Sequence, residues 1–569
     1  MRNEHLLFTY MNQKIRTPFV ISAAAGTLIL IYHAIYQFDF ISLDDGPHLY
    51  NNALMIHPTL STLLEFWRKP YFGLYVPFTY STWWFVSNLS LHFTGRIHPG
   101  FFHSLNLLMH GINGILAFLL LKELLSEFGS GVHKVTKKNS DKAQIAREEN
   151  IGISATVGML LFLMHPVQVE TVCWVSCLKD LQSTFFLFLS LIFYCRTVTA
   201  KSTAKSLAAS YPIQYGMAGL MFLCGVLSKP TLVIIPFLWL GIEFFCLGSL
   251  ARSVRKVWPW LGIALVITLI TKSQQPDARI LLIGSIPERL GIAGYALGHY
   301  LLQILAPLNL SMEYPLPVEK VVQSSWFSFA WIIPCLGGIG LRWTPRWFKL
   351  GAFFVFLGLL PILGFIPFEF QNFSIVSDHY LYFPIFGFAF IFSHWVRIGL
   401  ERQGKLSTLK WLLPFLVMVP YSSHQSRFWK DSPTLFARNM EENPEGYLSN
   451  FFLGNHYIER EEPRLALPYY LRAYRSLPRS IPAQQSIGTT YIRLGQYSEA
   501  IAHYERIFAL HQVGNDMWSH QAYAQVRNDF AAALSGAGRT AEAIEQLKLA
   551  LTLDPNLSTA RENLKKLGQ

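Results

Sequence analysis

Apolar segments long enough to cross a membrane recur along this chain between Pro18 and Tyr421. A helix of about 20 residues spans the roughly 30 Å hydrocarbon core of a bilayer. Only 14% of the 569 residues are charged, whereas soluble domains carry about 25%. Most of the chain therefore cannot face water, and the sequence predicts an all-α membrane protein with many helices that cross the bilayer.

Basic residues cluster in the short loops between these segments, which is the pattern of cytoplasmic loops. They do not follow one amphipathic face, so the net charge of +12 is poor support for nucleic-acid binding. Residues 76–92 decide the topology. They fit an amphipathic helix on the outer surface better than a span, and only then does the basic segment 122–150 become cytoplasmic. We therefore predict about eleven spans, with the N-terminus inside and the C-terminus outside.

The first of these spans is expected to stay in the protein, because no small-residue cleavage site follows it. Residues 286–305 are interpreted as a re-entrant part of a long outer loop, and the six cysteines as packing residues. The predicted spans are residues 18–37, 98–121, 151–164, 181–194, 211–227, 232–246, 257–271, 326–341, 351–368, 380–396 and 412–421.

Small and aromatic residues recur with a period of 34 at the end of the chain, as in tetratricopeptide repeats. A third unit, with Ala543, Leu547 and Ala550, lies about nine residues out of phase, and we place the extra residues near 513–521. Such helix pairs stack into a solenoid, which serves either as a rigid spacer or as a docking surface. The matching positions of the first two units are Leu453 and Ile487, Gly454 and Gly488, Tyr457 and Tyr491, Ala466 and Ala500, and Tyr470 and Tyr504.

Two adjacent carboxylates, Asp44 and Asp45, follow the first predicted span and should lie at the outer membrane boundary. Partial desolvation raises the pKa of a carboxylate and strengthens it as a base. One of the two is therefore a candidate general base for an acceptor hydroxyl. The competing interpretation is a solvated turn, because Asp followed by Gly and Pro is ordinary turn chemistry.

Further charged and polar residues come from other predicted outer segments, where they suit an anionic, lipid-attached substrate. His165 either completes a site with Glu170 or caps a helix end, and Lys179 and Asp180 either pair with each other or hold a phosphate. No P-loop or other nucleotide motif is placed to serve. The candidates are His165, Glu170, Lys179, Asp180, Glu313, Tyr314, Asp378, His379, Tyr380 and Arg427.

Several motifs occur in a fixed order along the chain. They are LDD at 43–45, HSLNLLMHGIN at 103–113, LMHPVQVETV at 163–172, KD at 179–180, LSKP at 227–230, NLS at 309–311, YP at 314–315 and SDHYLY at 377–382, followed by the repeats. Together they resemble the transmembrane and tetratricopeptide repeat-containing family, which are multispan enzymes of the GT-C class similar to protein O-mannosyltransferases. The resemblance covers nearly the whole length. It implies a polytopic GT-C-type helical bundle at 1–428 and a tetratricopeptide solenoid at 429–569.

The same resemblance implies transfer of a sugar, usually mannose, from a polyprenyl-phosphate carrier to a protein Ser or Thr hydroxyl outside the cytoplasm. Asp44 or Asp45 then takes the place of the catalytic carboxylate, and we favour Asp44 as the base, with Asp45 orienting or binding the acceptor. Two cations are candidates for the lipid phosphate, and five residues for further substrate contacts. These are Lys179 and Arg427 for the phosphate, and His165, Glu170, Asp378, His379 and Tyr380 for the rest.

Departures from the family pattern are Pro230, where relatives often have Glu, and the missing Arg before Lys179, which leaves one phosphate contact in doubt. No metal ligand is assigned, and the sequence leaves a divalent-metal requirement open. The acceptor protein or peptide is a partner that the repeats could dock. The localisation is either a bacterial inner membrane with periplasmic repeats or, in a eukaryote, the endoplasmic reticulum membrane with lumenal repeats.

Two other functions stay open at this point. A non-enzymatic scaffold that recruits partners through its repeats would explain the tail but none of the outer acids. A glycan ligase or polymerase would need a long outer loop rich in Arg and His. The predicted loop at 272–325 has only Arg279, Arg289 and His299, which counts against that alternative.

Overall fold

The structure is a computed structural model that describes residues 18–128, 140–200, 211–247, 250–274, 285–365, 369–404, 410–478, 480–511 and 520–568. Within these ranges the chain forms α-helices, short 3-10 turns and irregular segments, without a β-strand. The predicted all-α class is confirmed. The chain divides into two compact units. The N-terminal unit comprises Met1–Met312 with Val318–Asp431, and the repeat unit comprises Glu313–Pro317 with Ser432–Gln569.

Several of the described connections between helices of the N-terminal unit contain 3-10 helices. The described α-helices of this unit are α1 (Pro18–Tyr32), α2 (Ala53–Ile56), α3 (Leu60–Arg68), α4 (Pro77–Thr94), α5 (Pro99–Glu127), α6 (Ser140–Met164), α7 (Gln168–Cys173), α8 (Leu178–Ala200), α9 (Tyr211–Val226), α10 (Ile235–Leu247), α11 (Leu250–Gln274), α12 (Ile286–Leu305), α13 (Val318–Val322), α14 (Ile332–Gly340), α15 (Arg346–Leu359), α16 (Pro384–Gln403) and α17 (Leu413–Ser426).

Three described helices are long and apolar enough to cross a membrane: Pro99–Phe128, Val175–Val198 and Ser253–Thr271. By helix length and hydropathy the described residues thus contain three candidate spans, and the prediction of about eleven spans is corrected. At about 1.5 Å per residue, the 14 residues of α15 or α17 cover only about 21 Å, which is less than the roughly 30 Å of hydrocarbon. Three shorter apolar helices are Pro18–Tyr32, Pro230–Cys246 and Phe327–Trp343.

The structure places a helix at or near each predicted span. The apolar pattern therefore predicted where helices occur, but not which of them are long enough to cross a membrane. For α12 the predicted bounds of 286–305 match the observed ones. A capping box explains the start of this helix, because Ser285 and Glu288 each accept a hydrogen bond from the backbone N–H of the other. Residues 76–92 also form a helix, α4, as predicted.

A polar stripe along α5 organises the N-terminal unit. His103, Asn106, His110 and Asn113 are fully buried, and their spacing of three, four and three residues puts them on one face of the helix. Buried polar side chains require hydrogen-bond partners. Here those partners include backbone oxygens of α7, α8 and the turns around them, together with the Tyr382 hydroxyl. The stripe therefore fixes segments that are far apart in sequence.

The described part of the repeat unit consists of three helix pairs, with one helix before them and a final short helix after them. Its helices are α18 (Ser432–Glu442), α19 (Tyr447–Glu459), α20 (Pro463–Ser476), α21 (Ile481–Arg493), α22 (Tyr497–His511), α23 (His520–Gly536), α24 (Thr540–Leu553) and α25 (Ser558–Lys566).

Glycine and tyrosine pack together in each of the first two repeats. A Cβ atom on Gly454 would lie 2.5 Å from the Tyr470 ring, and a Cβ on Gly488 would lie 2.5 Å from the Tyr504 ring. Only a glycine allows the two helices of a pair to approach this closely. The same contact recurs after 34 residues, which is the predicted repeat period.

The third repeat is out of phase, as predicted. Its second helix begins at Thr540, which is 43 residues after Tyr497 and so nine more than the repeat period. The extra residues were predicted near 513–521, and most of that segment lies outside the described residues.

Candidate functional site

Residues 168–180, which we call the central segment, bring the predicted site residues together. The segment comprises α7, the 3-10 turn Val175–Cys177 and the start of α8. Apart from Lys179, all its residues are buried. Asn106 of the α5 stripe holds it in place, because its amide group donates to the Trp174 carbonyl at 2.9 Å. The central segment is therefore a rigid base for the side chains that it carries.

Asp45 is fully buried against the central segment. Its carboxylate accepts hydrogen bonds from the Ser176 N–H at 3.0 Å, the Ser176 hydroxyl at 2.5 Å and the Ile41 N–H at 2.9 Å. Burial raises the pKa of Asp45 from 3.8 to about 7, although these hydrogen bonds oppose the shift. Because donors hold both oxygens, Asp45 fixes the first loop onto the central segment.

Asp44 has a different environment. Its side chain is 37% exposed, and its carboxylate lies 3.9 Å from the Lys179 ammonium. Lys179 also lies 6.0 Å from the centre of the Trp174 ring. Nearby His48 is buried and stacks on an indole ring, and burial lowers the pKa of His48 to about 4. Asp44 is thus the acid of the pair that a substrate can reach.

Glu170 and His379 form a buried pair. The Glu170 carboxylate lies 2.5 Å from Nδ1 of His379, and the Ser377 hydroxyl donates to the same carboxylate at 2.8 Å. The Trp174 ring packs against His379 with 5.7 Å between ring centres. Glu170 comes from the central segment and His379 from the 3-10 turn Asp378–Leu381, so the pair joins two predicted clusters.

A small cleft with a volume of about 40 Å³ opens beside this pair. At its wall Asp180 forms an ion pair with Lys229, whose ammonium lies 5.4 Å from the centre of the Tyr380 ring. Of the two alternatives for Lys179 and Asp180, the structure does not form the mutual ion pair, because Lys179 faces Asp44. The polar and aromatic residues that line the cleft are Asp180, Ser183, Thr184, Lys229, Thr231, His379, Tyr380, Tyr382 and Phe383.

Three predicted site residues lie in other surroundings. His165 is fully buried, and its Nε2 lies 3.1 Å from the Ile304 carbonyl near the end of α12, which is the helix-capping alternative. Asp378 is buried. Arg427 is exposed and forms no ion pair with a described residue. Its 3-10 turn nevertheless reaches the central segment, because Trp429 stacks on Trp174 with 6.2 Å between ring centres.

Residues that sequence reasoning missed supply much of the site. Lys229 was recognised only as part of the LSKP motif, although a cation at the end of an apolar helix is costly unless it is paired, which is a usable signal. Ser176 and Ser377 gave no signal, because a serine in a loop has many roles. No cluster of three or more His, Cys, Asp or Glu suited to a metal ion occurs within the described ranges.

Comparisons with known proteins concern the repeats and the overall likeness of the chain. A tetratricopeptide repeat family model matches residues 479–556. The chain is 23% identical over 494 residues to the human (Homo sapiens) protein O-mannosyl-transferase TMTC3, a match covering 78% of this chain and 50% of that protein. Mouse (Mus musculus) TMTC3 is 23% identical over 391 residues, covering 62% and 42%. Mouse TMTC4, also named a protein O-mannosyl-transferase, is 27% identical over 190 residues, covering 32% and 23%.

The predicted resemblance to tetratricopeptide-containing O-mannosyltransferases is confirmed. The chain spans about half the length, or less, of the curated relatives that it matches. The repeats of the C-terminal unit are tetratricopeptide repeats, and the apolar helices of the N-terminal unit give it the character of a membrane protein.

Proposed function

We propose that this chain transfers a sugar, mannose by analogy with its relatives, from a polyprenyl-phosphate carrier to a Ser or Thr hydroxyl of a protein. The likeness to proteins named O-mannosyl-transferases supports the reaction type. The lipid-linked donor, the GT-C class and the non-cytoplasmic face follow from the family motifs. The acceptor protein would dock on the repeats.

The observation that carries the proposal is the contrast within the acid pair. Asp45 is buried and held by donors on both oxygens, whereas Asp44 is partly exposed beside the Lys179 ammonium. An anchored acid beside a reachable one gives a base of fixed position, and a fixed position is what general-base catalysis requires.

In the proposed reaction Asp44 takes the proton of the acceptor hydroxyl while its oxygen attacks the anomeric carbon. The bond from that carbon to the phosphate oxygen breaks, and its electron pair leaves with the polyprenyl phosphate. A single displacement inverts the anomeric centre. Lys179 and Arg427 are cations for the phosphate, and Glu170, His379 and Tyr380 make further substrate contacts. His165 and Asp378 support the surrounding turns.

The test is sugar transfer by the full-length chain in liposomes. Synthetic polyprenyl-phosphate mannose is the donor, and a secreted-protein extract from cells that lack the chain is the acceptor. Mannosylated Ser or Thr is detected by mass spectrometry. Asp44→Asn should lower the rate about 100- to 10,000-fold, which is the usual contribution of a general base.

Glu65→Gln is a matched control. Glu65 lies in α3, in the same region between α1 and α4, and its only described ion pair is with Lys69. The Glu65→Gln variant should therefore transfer sugar at the wild-type rate. A wild-type chain that binds partner proteins but yields no mannosylated product would replace the proposal with the scaffold function. Equal rates for the wild type and Asp44→Asn would remove Asp44 from the mechanism.

Sidedness needs its own experiment. We propose that the N-terminus faces the cytoplasm and the repeats face the other side, so that the acid pair lies at the outer membrane boundary. A reporter inserted at residues 129–139 should then be cytoplasmic, and one fused after residue 569 should not. The reverse pattern would separate Asp44 from a lipid-linked donor on the outer face.

A further inference from the structure

His379 lines the cleft and forms with Glu170 a pair that the proposed transfer uses only for contact. Nδ1 of His379 is engaged by the Glu170 carboxylate at 2.5 Å and lies 2.9 Å from the Ser377 hydroxyl. A carboxylate at Nδ1 fixes a proton on that nitrogen and so orients the ring. Nε2 of His379, by contrast, forms no hydrogen bond with any described residue, while the histidine lines the cleft.

This arrangement orients the second ring nitrogen. Glu170 is 4% exposed and His379 is 6% exposed, so little water screens their interaction. Trp174 packs on His379, and Tyr380 lies with its ring centre only 4.1 Å from that of the imidazole. Packing and the Glu170 carboxylate therefore fix the orientation of the imidazole. A group that delivers a proton to one atom of a substrate needs such a fixed orientation.

Other charges around the pair nearly balance. Asp180 and Lys229 neutralise each other across the cleft, and Lys179 faces Asp44. The charged and titratable groups in the surroundings of the Glu170 and His379 pair are Cys177, Lys179 and Asp180 from the rest of the central segment, Lys229 from the turn after α9, Tyr300 from α12, and Asp378, Tyr380 and Tyr382 from the turn of His379.

We propose that His379 is the general acid that protonates the departing polyprenyl phosphate, with Glu170 as its positioning residue; this inference rests on the proposed sugar transfer. As the bond between the anomeric carbon and the phosphate oxygen breaks, the electron pair moves onto that oxygen, which becomes part of a dianionic phosphate monoester. Nε2–H of His379 donates its proton to this oxygen. Asp44 has gained the acceptor proton, and both groups return to their starting states by exchange with water.

The step matches the charge change of the reaction. The donor phosphodiester carries one negative charge and the leaving monoester carries up to two, with a second pKa of about 6. A proton donor near the phosphate therefore interacts more strongly with the transition state than with the bound donor, and such an interaction raises kcat more than it lowers KM.

The experiment is the pH dependence of transfer by full-length wild type, His379→Gln, His379→Arg and Glu170→Gln in the liposome assay. In the wild type kcat should fall at alkaline pH, because general-acid catalysis needs a protonated donor. His379→Gln should lower kcat about 100-fold or more, change the donor KM less than about threefold, and abolish the alkaline fall. Glu170→Gln should also lower kcat, because the ring loses the carboxylate that orients it. Arginine cannot release a proton, so His379→Arg should not restore the rate.

A matched control is His394→Gln. His394 is also buried, but it stacks on Trp347 in the same unit and does not line the cleft, so its variant should keep the wild-type rate and pH profile. An unchanged alkaline fall in His379→Gln, or a full rate in His379→Arg, overturns the general-acid role. These outcomes require that the wild type transfers sugar. A wild type without transfer contradicts the proposed function instead.

Discussion

Two buried carboxylates, one in each unit of the molecule, have nearly the same local chemistry. Asp45 in the N-terminal unit accepts from two backbone N–H groups and the Ser176 hydroxyl. Glu313 in the repeat unit accepts from the N–H groups of Leu448 and Ser449 and from the Ser449 hydroxyl. Burial raises the pKa of each to about 7.

The difference lies in what surrounds them. Beside Asp45 lie the reachable acid Asp44 and its partner Lys179. Glu313 instead caps the start of α19, where free N–H groups and the helix dipole favour a carboxylate. A raised pKa therefore does not by itself mark a catalytic group. The comparison predicts that Asp45 acts on transfer through the position of Asp44, and that Glu313 acts only on stability.

The largest expected effect is on transfer. Asp45→Asn places an amide NH2 group where hydrogen-bond donors surround both carboxylate oxygens, so the loop that carries Asp44 must shift. A displacement of about 1 Å at a reacting group costs roughly 100-fold in rate. Glu313→Gln should leave the rate within about threefold of the wild type. Both are measured with the liposome assay, and exposed Asp39→Asn is the control on the same loop. Equal losses at Asp45 and Glu313 would break the comparison.

The next effect is on the repeat unit. Glu313→Ala leaves the α19 N–H groups and the Ser449 hydroxyl buried without their acceptor, and each such group costs about 1–3 kcal/mol. We expect faster amide hydrogen exchange along Tyr447–Glu459 in the full-length chain, consistent with a loss of about 3 kcal/mol. Glu319→Ala, which removes an exposed acid six residues further on, should leave the exchange unchanged.

The pH dependence follows from the raised pKa values. A group whose pKa is higher in the folded state stabilises the fold below its unfolded pKa, here about 4.3 for Glu, and loses that contribution as the pH rises through about 7. The repeat unit should therefore lose on the order of 2 kcal/mol between pH 5 and pH 8 because of Glu313. Hydrogen exchange of Glu313→Gln should lack this part of the slope; an identical slope would show that other groups cause it.

The sequence was sufficient for much of the fold. Apolar periodicity located the helices, and the 34-residue recurrence marked Gly454 and Tyr470 as repeat positions, which the structure shows to be in contact. It overestimated the spans, because an apolar run does not show where a helix breaks into 3-10 turns, as it does at Phe327–Phe329 and Leu341–Trp343.

The site was harder to predict. The acid pair and the Glu170 and His379 segments were recognised, but their pairing was not, because partners 209 residues apart leave no local pattern. Lys229 was missed as the partner of Asp180 for the same reason. Sequence could not tell which of Asp44 and Asp45 is buried, since that depends on a serine hydroxyl from the central segment.

The smallest expected effect comes from removing the two serine hydroxyls. Ser176→Ala and Ser449→Ala each delete one hydrogen bond and leave the backbone donors in place, so each should cost about 1 kcal/mol of stability. Both hydroxyls lower the pKa of their carboxylate, so both variants should raise it further. The functional outcome should differ, because only Ser176→Ala loosens the anchor beside Asp44. Transfer should weaken several-fold in Ser176→Ala and stay at the wild-type rate in Ser449→Ala. Equal rates in both would mean that the backbone N–H groups alone anchor Asp45.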